Sequence, residues 1–551
     1  RSFFTLFTFT TLFRSLVVAL IGLFYNLHHW HVAMTAEAHL AEISREMLRT
    51  GDFLHPRLQG VDTYLQPPLT YWLLALGQRL WGVNAFGVRF FVQVALALQA
   101  VLVFQISLRL LGIPRTALFA GLIYLSMPLV MWSSRVLSVD TFAATFELSA
   151  VYWLLVYQLE RQPRALYGLS LSLGLGMLTG GGQVLILPVL MRLYIAIAAR
   201  QSPLQQWRLI DWPHTLAAGC IGLVIGGGWY IYIGLAQPDL WHELWYQHWR
   251  TLFPDAAMVW AASWQWGVLL GWGALPWLPI FIVGLFGPLW KLPRLGQLVG
   301  FWLVPLLIIK IWTGTPTAPT LLPVLAGMAI LVAYLLQQLS RLEVRQYGLL
   351  FMQLTLAIGL LLLGIPLVSL ILGEELVLSG QMAAEAGLII LVGMVFFGLI
   401  RAGVRYRLVA IALITNLLFL LYGGYLIAAN PFWIETTAPL AQFIRSRQLQ
   451  DQTILVFDQT LPSLAFALDR DLVTIDNGSV TPDVTFQTRN AWRQQWVATN
   501  QASTARYLRR LISQSSVLIT EDALPDQWNW IQTNYPEVQA VGRWQVHYRV
   551  R

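Results

Sequence analysis

Long apolar runs recur along most of this 551-residue chain, and no other feature restricts its fold as strongly. A helix needs about 20 apolar residues to cross roughly 30 Å of hydrocarbon. Runs of that order fall near 13–30, 90–111, 115–132, 137–158, 165–181, 182–197, 213–235, 264–289, 297–313, 319–338, 347–373, 383–401 and 406–428. The sequence therefore predicts an α-helical polytopic membrane protein of about thirteen transmembrane helices. Composition agrees. With 57% hydrophobic and 11% charged residues, there is too little polar surface for a water-soluble fold of this length.

The net charge of +8 does not mark a nucleic-acid binder, because the basic residues form no patch with interleaved aromatics. They lie in short loops between apolar runs: Arg161 and Arg164, Arg200 and Arg208, Lys291 and Arg294, Arg341 and Arg345, Arg401 and Arg405. The loop around Glu374 and Glu375 on the other side carries none. The positive-inside bias then predicts a cytoplasmic N-terminus and, with an odd number of spans, a C-terminal region outside. No small-residue cleavage site follows the first run, which reads as a retained span. The single Cys220 lies in an apolar run and offers no disulfide framework.

Two outer segments interrupt the spans. In 31–89, Thr35 can cap a helix with Leu40, Ile43 and Met47 on one face and Glu42, Arg45, Glu46 and Arg49 opposite. Pro67 and Pro68 open a second helix with Leu69, Trp72, Leu73, Leu76 and Leu80 on one stripe. Helices of this kind lie in the interface plane. The segment 236–263 holds His242, Glu243, His248 and Arg250 among tryptophans, which equally suits an aromatic belt. From 430 the composition changes: Thr453–Asp458 and Ser516–Thr520 read as short buried strands, 487–513 as a polar helix and 542–550 as an edge or final strand. Residues 1–429 thus form a transmembrane domain with an outer interfacial loop at 31–89, and 430–551 a small extracytoplasmic α/β domain.

Ionisable groups near membrane depth are costly and mark candidate sites. Asp140 starts the span at 137–158, five residues after Arg135, and reads either as a site acid or as a helix N-cap. Lys310 either holds a phosphate or snorkels to the interface. Arg192 reads as structural. Asp469-Arg470-Asp471 spells an acid-x-acid pattern among turn residues, and Gly180-Gly181-Gly182 reads as a helix break rather than a phosphate loop. Asn477-Gly-Ser479 fits a glycan acceptor triplet of low specificity. With no nucleotide-binding signature, a transferred group is expected to arrive on a lipid carrier.

The first outer loop carries a resemblance. Ala41-Glu-Ile-Ser-Arg-Glu-Met-Leu-Arg-Thr-Gly-Asp52, Pro56-Arg-Leu-Gln-Gly60 and Pro67-Pro-Leu-Thr-Tyr-Trp72 resemble membrane glycosyltransferases of the GT-C fold, nearest to the aminoarabinose transferase and protein O-mannosyltransferase group. Gly87-Val-Arg-Phe90, Asp140, Leu178-Thr179, Trp229-Tyr230 and Leu322-Pro323 follow in the same order. The resemblance implies a polyprenyl-phosphate sugar as donor and work at the outer face. It also exposes departures. The family's candidate base, an Asp, is Ala36 here, beside a surviving Glu37; its Glu-Lys before the double proline is Leu65-Gln66. The lysine usual after Leu-Thr is Gly180, and Pro316 stands near the place of another.

Alanine cannot accept a proton, and a leaving phosphate wants fixed cations. Either Glu37, His39, His248 and Lys310 have taken over, or the fold persists without the chemistry. The first reading is a glycosyltransferase with Glu37 and Asp140 as catalytic carboxylates, and with His39, Arg135, His248 and Lys310 as substrate contacts. The second is an inactive relative serving as a subunit or lipid-binding scaffold. A transporter would want paired charges at the bilayer midplane, and none is visible in the sequence. Sugar and acceptor are unspecified, a divalent metal beside Asp140 stays open, and membrane lipid is the expected surrounding.

Overall fold

A computed structural model describes residues 22–25, 27–33, 36–64, 66–201, 212–236, 238, 256–286, 299–313, 316–340, parts of 342–391, 405–430, 436–476, 496–498, 502–521, 524 and 528–549. The elements run in chain order as α1 (Ala36–Thr50), a hairpin of β1 (Arg57–Leu58) and β2 (Val61–Asp62), then α2 (Leu69–Trp81) and α3 (Ala85–Leu111). The apolar region continues as α4 (Pro114–Leu125), α5 (Pro128–Ser133), α6 (Val139–Glu160), α7 (Ala165–Gly180), α8 (Ile186–Gln201), α9 (Trp212–Ala236), α10 (Ala256–Gly273), α11 (Leu278–Phe286), α12 (Val304–Thr313), α13 (Leu322–Gln338) and α14 (Arg405–Ala429). The C-terminal part carries α15 (Ala438–Ser446), β3 (Thr453–Phe457), α16 (Pro462–Leu468), β4 (Val473–Asp476), β5 (Trp496–Ala498), α17 (Ala502–Ser513), β6 (Ser516–Thr520), α18 (Asn529–Gln532), β7 (Glu537–Val541) and β8 (Trp544–Tyr548). The chain divides into two compact units, one of Arg1–Asn26, Leu65–Thr70 and Phe91–Leu426, the other of Leu27–Tyr64, Tyr71–Phe90 and Ile427–Arg551.

In the first unit, five helices among the described residues are long and apolar enough to cross a bilayer, or six if a bent pair is one span. This is a membrane protein. The predicted spans near 347–373 and 383–401 lie largely outside the described residues, as does most of 13–30. Where sequence suggests two spans at 165–181 and 182–197, the stretch Ala165–Ile197 counts as one candidate, interrupted by a 3-10 turn at Gly181–Leu185. Gly181 takes φ +64°, which a glycine adopts without strain, so the glycine run is a helix break. Prolines divide other runs. Pro128 opens α5 and ends α4 within the predicted span 115–132. Near Pro276, the helices Ser263–Gly273 and Leu278–Leu285 meet at a 109° bend inside the predicted span 264–289. The centre of the unit is α13, apolar on all sides and buried nearly throughout, packed on α4.

The second unit holds a six-stranded sheet in the order β5-β4-β3-β6-β8-β7, with β3, β4, β5 and β6 parallel and β8 and β7 antiparallel. The central β3 is an unbroken apolar run because both its faces are covered. Leu464, Ala465 and Leu468 of α16 join the core on one face, Leu508, Leu511 and Ile512 of α17 that on the other. The final strand β8 lies inside the sheet, and the exposed β7 takes the edge. Of the predicted helix at 487–513, Ala502–Ser513 is helical and Trp496–Ala498 is a strand, its Trp-Val pair suiting a parallel edge, while 487–495 and 499–501 lie outside the described residues.

In the same unit, α1 is buried on both faces. Leu40, Ile43 and Met47 are buried as predicted, but Glu42, Arg45 and Glu46 are buried too, at 1–2% exposure. The predicted solvent face of α1 is therefore an internal contact. On α2 the apolar stripe behaves in the opposite way: Leu76 and Leu80 are 44% and 58% exposed, while Tyr71, Leu74 and Ala75 are buried. The turn into α3 needs its glycines. Gly82 takes φ +86°, and a Cβ on Gly87 would lie 2.3 Å from the Gly82 carbonyl oxygen. Asn84 Oδ1 accepts from the Gly87 N–H at 2.8 Å and caps the helix.

Candidate functional site

In the first unit the site is built on the N-terminal turns of α6. Ser138, not Asp140, is the N-cap: its Oγ accepts from the Asp140 N–H at 3.1 Å. That frees the Asp140 carboxylate, which stands partly exposed in the first turn. Its Oδ2 accepts from Thr320 Oγ1 at 2.5 Å and from Thr317 Oγ1 at 3.5 Å. Both threonines belong to the short 3-10 segment that leads into α13 and to the residue before it.

Two turns further along α6, Glu147 is fully buried. Lys310 Nζ donates to Glu147 Oε1 at 3.2 Å, and neither side chain is more than 4% exposed. Lys310 therefore does not snorkel; it is held inside by a carboxylate. A charge pair inside the apolar helices is what the sequence reading did not find. Asp140 acts electrostatically on both partners. Among the described residues, no three His, Cys, Asp or Glu side chains are grouped so as to hold a metal.

Arg135 is buried and committed to backbone: Nη1 donates to the Leu23 carbonyl and Nη2 to that of Tyr25, both at 2.8 Å. It fastens the end of the first described helical segment to the base of α6. Arg192 is likewise buried.

In the second unit, Glu37 lies in the first turn of α1 and Arg89 in α3. Arg89 Nη2 donates to Glu37 Oε1 at 2.7 Å, and Glu37 Oε2 accepts from the Ala33 N–H at 3.2 Å. Arg89 also donates to the carbonyl of Trp30 at 2.5 Å. Glu37 is thus a buried, arginine-held carboxylate, while its neighbour Ala36 is exposed. His39 is half-buried on the same helix. His248 lies outside the described residues, as does Asn477 of the glycan triplet.

The polar face of α1 meets the turn between α16 and β4. Arg45 donates to both oxygens of Glu42 at 2.8 Å, to Asp469 at 3.3 Å and to Asp471 at 2.9 Å, and Arg49 also pairs with Asp471. Glu46 Oε2 accepts from the Gly60 N–H at 3.2 Å. Burial, helped by the charge of Glu42 beside it, pushes the Glu46 carboxyl up to about 8, and burial raises that of Glu42 as well. The acid-x-acid pattern of Asp469 and Asp471 thus serves arginines.

Comparisons with known proteins now add to this geometry. A family model described as dolichyl-phosphate-mannose-protein mannosyltransferase matches residues 65–229. An undecaprenyl phosphate-alpha-4-amino-4-deoxy-L-arabinose arabinosyl transferase 2 of Pseudomonas fluorescens (strain Pf0-1) is 29% identical over 467 residues, 79% of this chain and 77% of that one. A namesake from Edwardsiella ictaluri is 33% identical over 315 residues, which span 55% of each chain. Among solved structures, ArnT from Cupriavidus metallidurans in the apo state aligns with a TM-score of 0.73 at 19% identity over 98% of both chains. The same protein bound to undecaprenyl phosphate gives 0.71 over 97% of both. With the motifs of 41–72, Asp140 and the helical and sheet elements in place, the chain has the fold of these solved membrane proteins and is similar in sequence to aminoarabinose transferases over most of its length.

Proposed function

We propose that the protein is an integral-membrane glycosyltransferase that takes a sugar from a polyprenyl phosphate at the outer face of a bacterial inner membrane. The observation that carries this reading is the 467-residue alignment with a relative named for transfer of 4-amino-4-deoxy-arabinose from undecaprenyl phosphate. The relatives are named as transferases, so the inactive-scaffold alternative is the less supported one. In the reaction the sugar C1–O bond to phosphate breaks and a bond from C1 to an acceptor oxygen forms. The acceptor proton passes to a carboxylate, and polyprenyl phosphate leaves with the electron pair.

Asp140 is the better placed of the two candidate carboxylates, because it is partly exposed and its threonine partners fix its orientation. Glu37 has both oxygens already accepting hydrogen bonds, so its part is to hold α1 against Arg89 unless substrate draws it away. Lys310 is the cation offered to the phosphate. His39 and His248 stand as candidate sugar contacts, and Arg135 supports the site from behind through its two carbonyls. The N-terminus is assigned to the cytoplasm, and residues 430–551 to the outside as an extracytoplasmic α/β domain, by the five basic loops.

The test is transfer by purified protein in detergent from undecaprenyl phosphate-linked 4-amino-4-deoxy-arabinose and related polyprenyl-phosphate sugars, read as release of the free polyprenyl phosphate. Release above that of a heat-denatured control supports the reading. No release from any donor of the class would put the scaffold alternative first.

A further inference from the structure

Asp140, Ala143 and Glu147 recur at spacings of three and four residues and share one face of α6. Lys310 reaches that face from the last turn of α12, with Nζ 3.2 Å from Glu147 Oε1. Glu147 Oε2 is buried and has no hydrogen-bond partner among the described residues. The end of α7 closes the same face from another side: a Cβ on Gly180 would lie 2.9 Å from that of Ala143. No longer side chain enters from position 180 without moving α6. The charge that meets this face therefore comes from α12.

Stability is a poor explanation for such a pair. Removing two charges from water costs about as much as their attraction returns, and apolar residues of similar size often do as well or better. A buried carboxylate oxygen without a donor makes the balance worse. A positioned ammonium, by contrast, has a use in transfer from a phosphate, where a fixed cation must meet the charge that develops on the leaving oxygen. An ammonium carries three N–H donors, and the carboxylate takes one of them. The positions where cations are expected by resemblance hold Gln66, Gly180 and Pro316, all uncharged.

We propose that Glu147 is a positioning residue for Lys310, and that the pair supplies the phosphate-binding cation of this chain from α12. Glu147 fixes the ammonium beneath Asp140 through one oxygen, and the remaining N–H donors of Lys310 receive the phosphate of the polyprenyl carrier. This assignment rests on the glycosyltransferase reading above for its chemistry, but its binding half can be measured alone.

The test compares the full-length wild type with Glu147→Leu/Lys310→Met, Glu147→Gln and Lys310→Arg. Undecaprenyl phosphate is titrated by native mass spectrometry, transfer is resolved into kcat and KM, and a melting curve is taken for each protein. The double variant exchanges the pair for apolar residues of similar size, so it should melt near the wild type. It should bind undecaprenyl phosphate at least about tenfold more weakly, as loss of a charged contact predicts. Glu147→Gln keeps the cation but loosens it, so KM for donor should change little while kcat falls roughly 10–100-fold. Lys310→Arg keeps the charge and should hold undecaprenyl phosphate far better than the double variant. Wild-type binding and wild-type kcat in the double variant, or in Glu147→Gln if the double variant does not fold, would overturn the assignment. So would a wild type that binds no undecaprenyl phosphate. Pair-dependent binding without transfer from any donor would keep the assignment and remove the glycosyltransferase reading instead.

Discussion

Asp140 and Glu37 are both carboxylates at the start of a helix, but their surroundings set different expectations. Asp140 keeps an exposed part and is oriented by Thr317 and Thr320, so Asp140→Asn should lower transfer about 10²–10⁴-fold, the usual cost of removing a positioned proton acceptor. Its melting temperature should stay near that of the wild type, because asparagine can still accept from both threonines; equal transfer rates would remove Asp140 from the mechanism. Glu37 and Arg89 form a buried pair. Arg89→Met removes the ion-pair partner of that buried carboxylate and should cost about 3–5 kcal/mol of stability, read in denaturant titration. Glu37→Gln keeps an acceptor and should cost clearly less; a larger loss than for Arg89→Met would contradict this account of the pair. The α-helical period places Glu147 on the face of Asp140, a signal that the sequence analysis did not single out. Its pairing with Lys310 carries no signal in the sequence, because 163 residues separate the two and only the packing of α12 brings them together.

Helix α1 shows how far periodicity carries an element. Its start and its apolar face of Leu40, Ile43 and Met47 follow from the sequence, but the burial of Glu42, Arg45 and Glu46 does not. A polar stripe reads as solvated unless its partners are known, and those partners, Asp469 and Asp471, lie more than 420 residues away. The burial has a measurable consequence. Glu46 titrates near 4.5 when unfolded and at about 8 when folded, so between those values the folded chain binds the extra proton. The stability this contributes is present below pH 4.5 and is lost as pH rises toward 8, at up to about 1.4 kcal/mol per unit. Glu46→Gln keeps an acceptor for the Gly60 N–H and removes the titration. Its melting temperature should therefore exceed the wild type's at pH 8 and converge with it at pH 5; a gap independent of pH would show that Glu46 does not titrate in this range. The partial misreading of 487–513 has a related cause. A polar stretch carries no apolar period by which to tell a short edge strand such as β5 from a helix.

At the scale of the whole molecule the testable quantity is direction across the membrane. The described helices establish a membrane protein by length and apolarity, and those two properties are the same for a helix read in either sense. Orientation lies in the loops instead. Basic pairs recur at Arg161 and Arg164, Arg200 and Arg208, Lys291 and Arg294, Arg341 and Arg345, and Arg401 and Arg405, each after every second predicted span. Charge on short loops is retained on the cytoplasmic side, whereas Asp and Glu contribute little to the bias. Five loops in one phase make a single inverted insertion costly at every one of them. For Arg161 and Arg200 to share a side, the stretch Ala165–Ile197 must turn back at Gly181–Leu185, so reporters fused after residues 163 and 203 are expected to report the same side. Reporters that fluoresce only in the cytoplasm, fused after residues 163 and 343, are therefore expected to be bright. An exported phosphatase fused after residue 430 should be active, and the fluorescent reporter there dark. Fluorescence after 430 would put the sheet-bearing C-terminal region inside the cell, away from a donor presented at the outer face, and would overturn the proposed layout along with the side on which transfer is assigned.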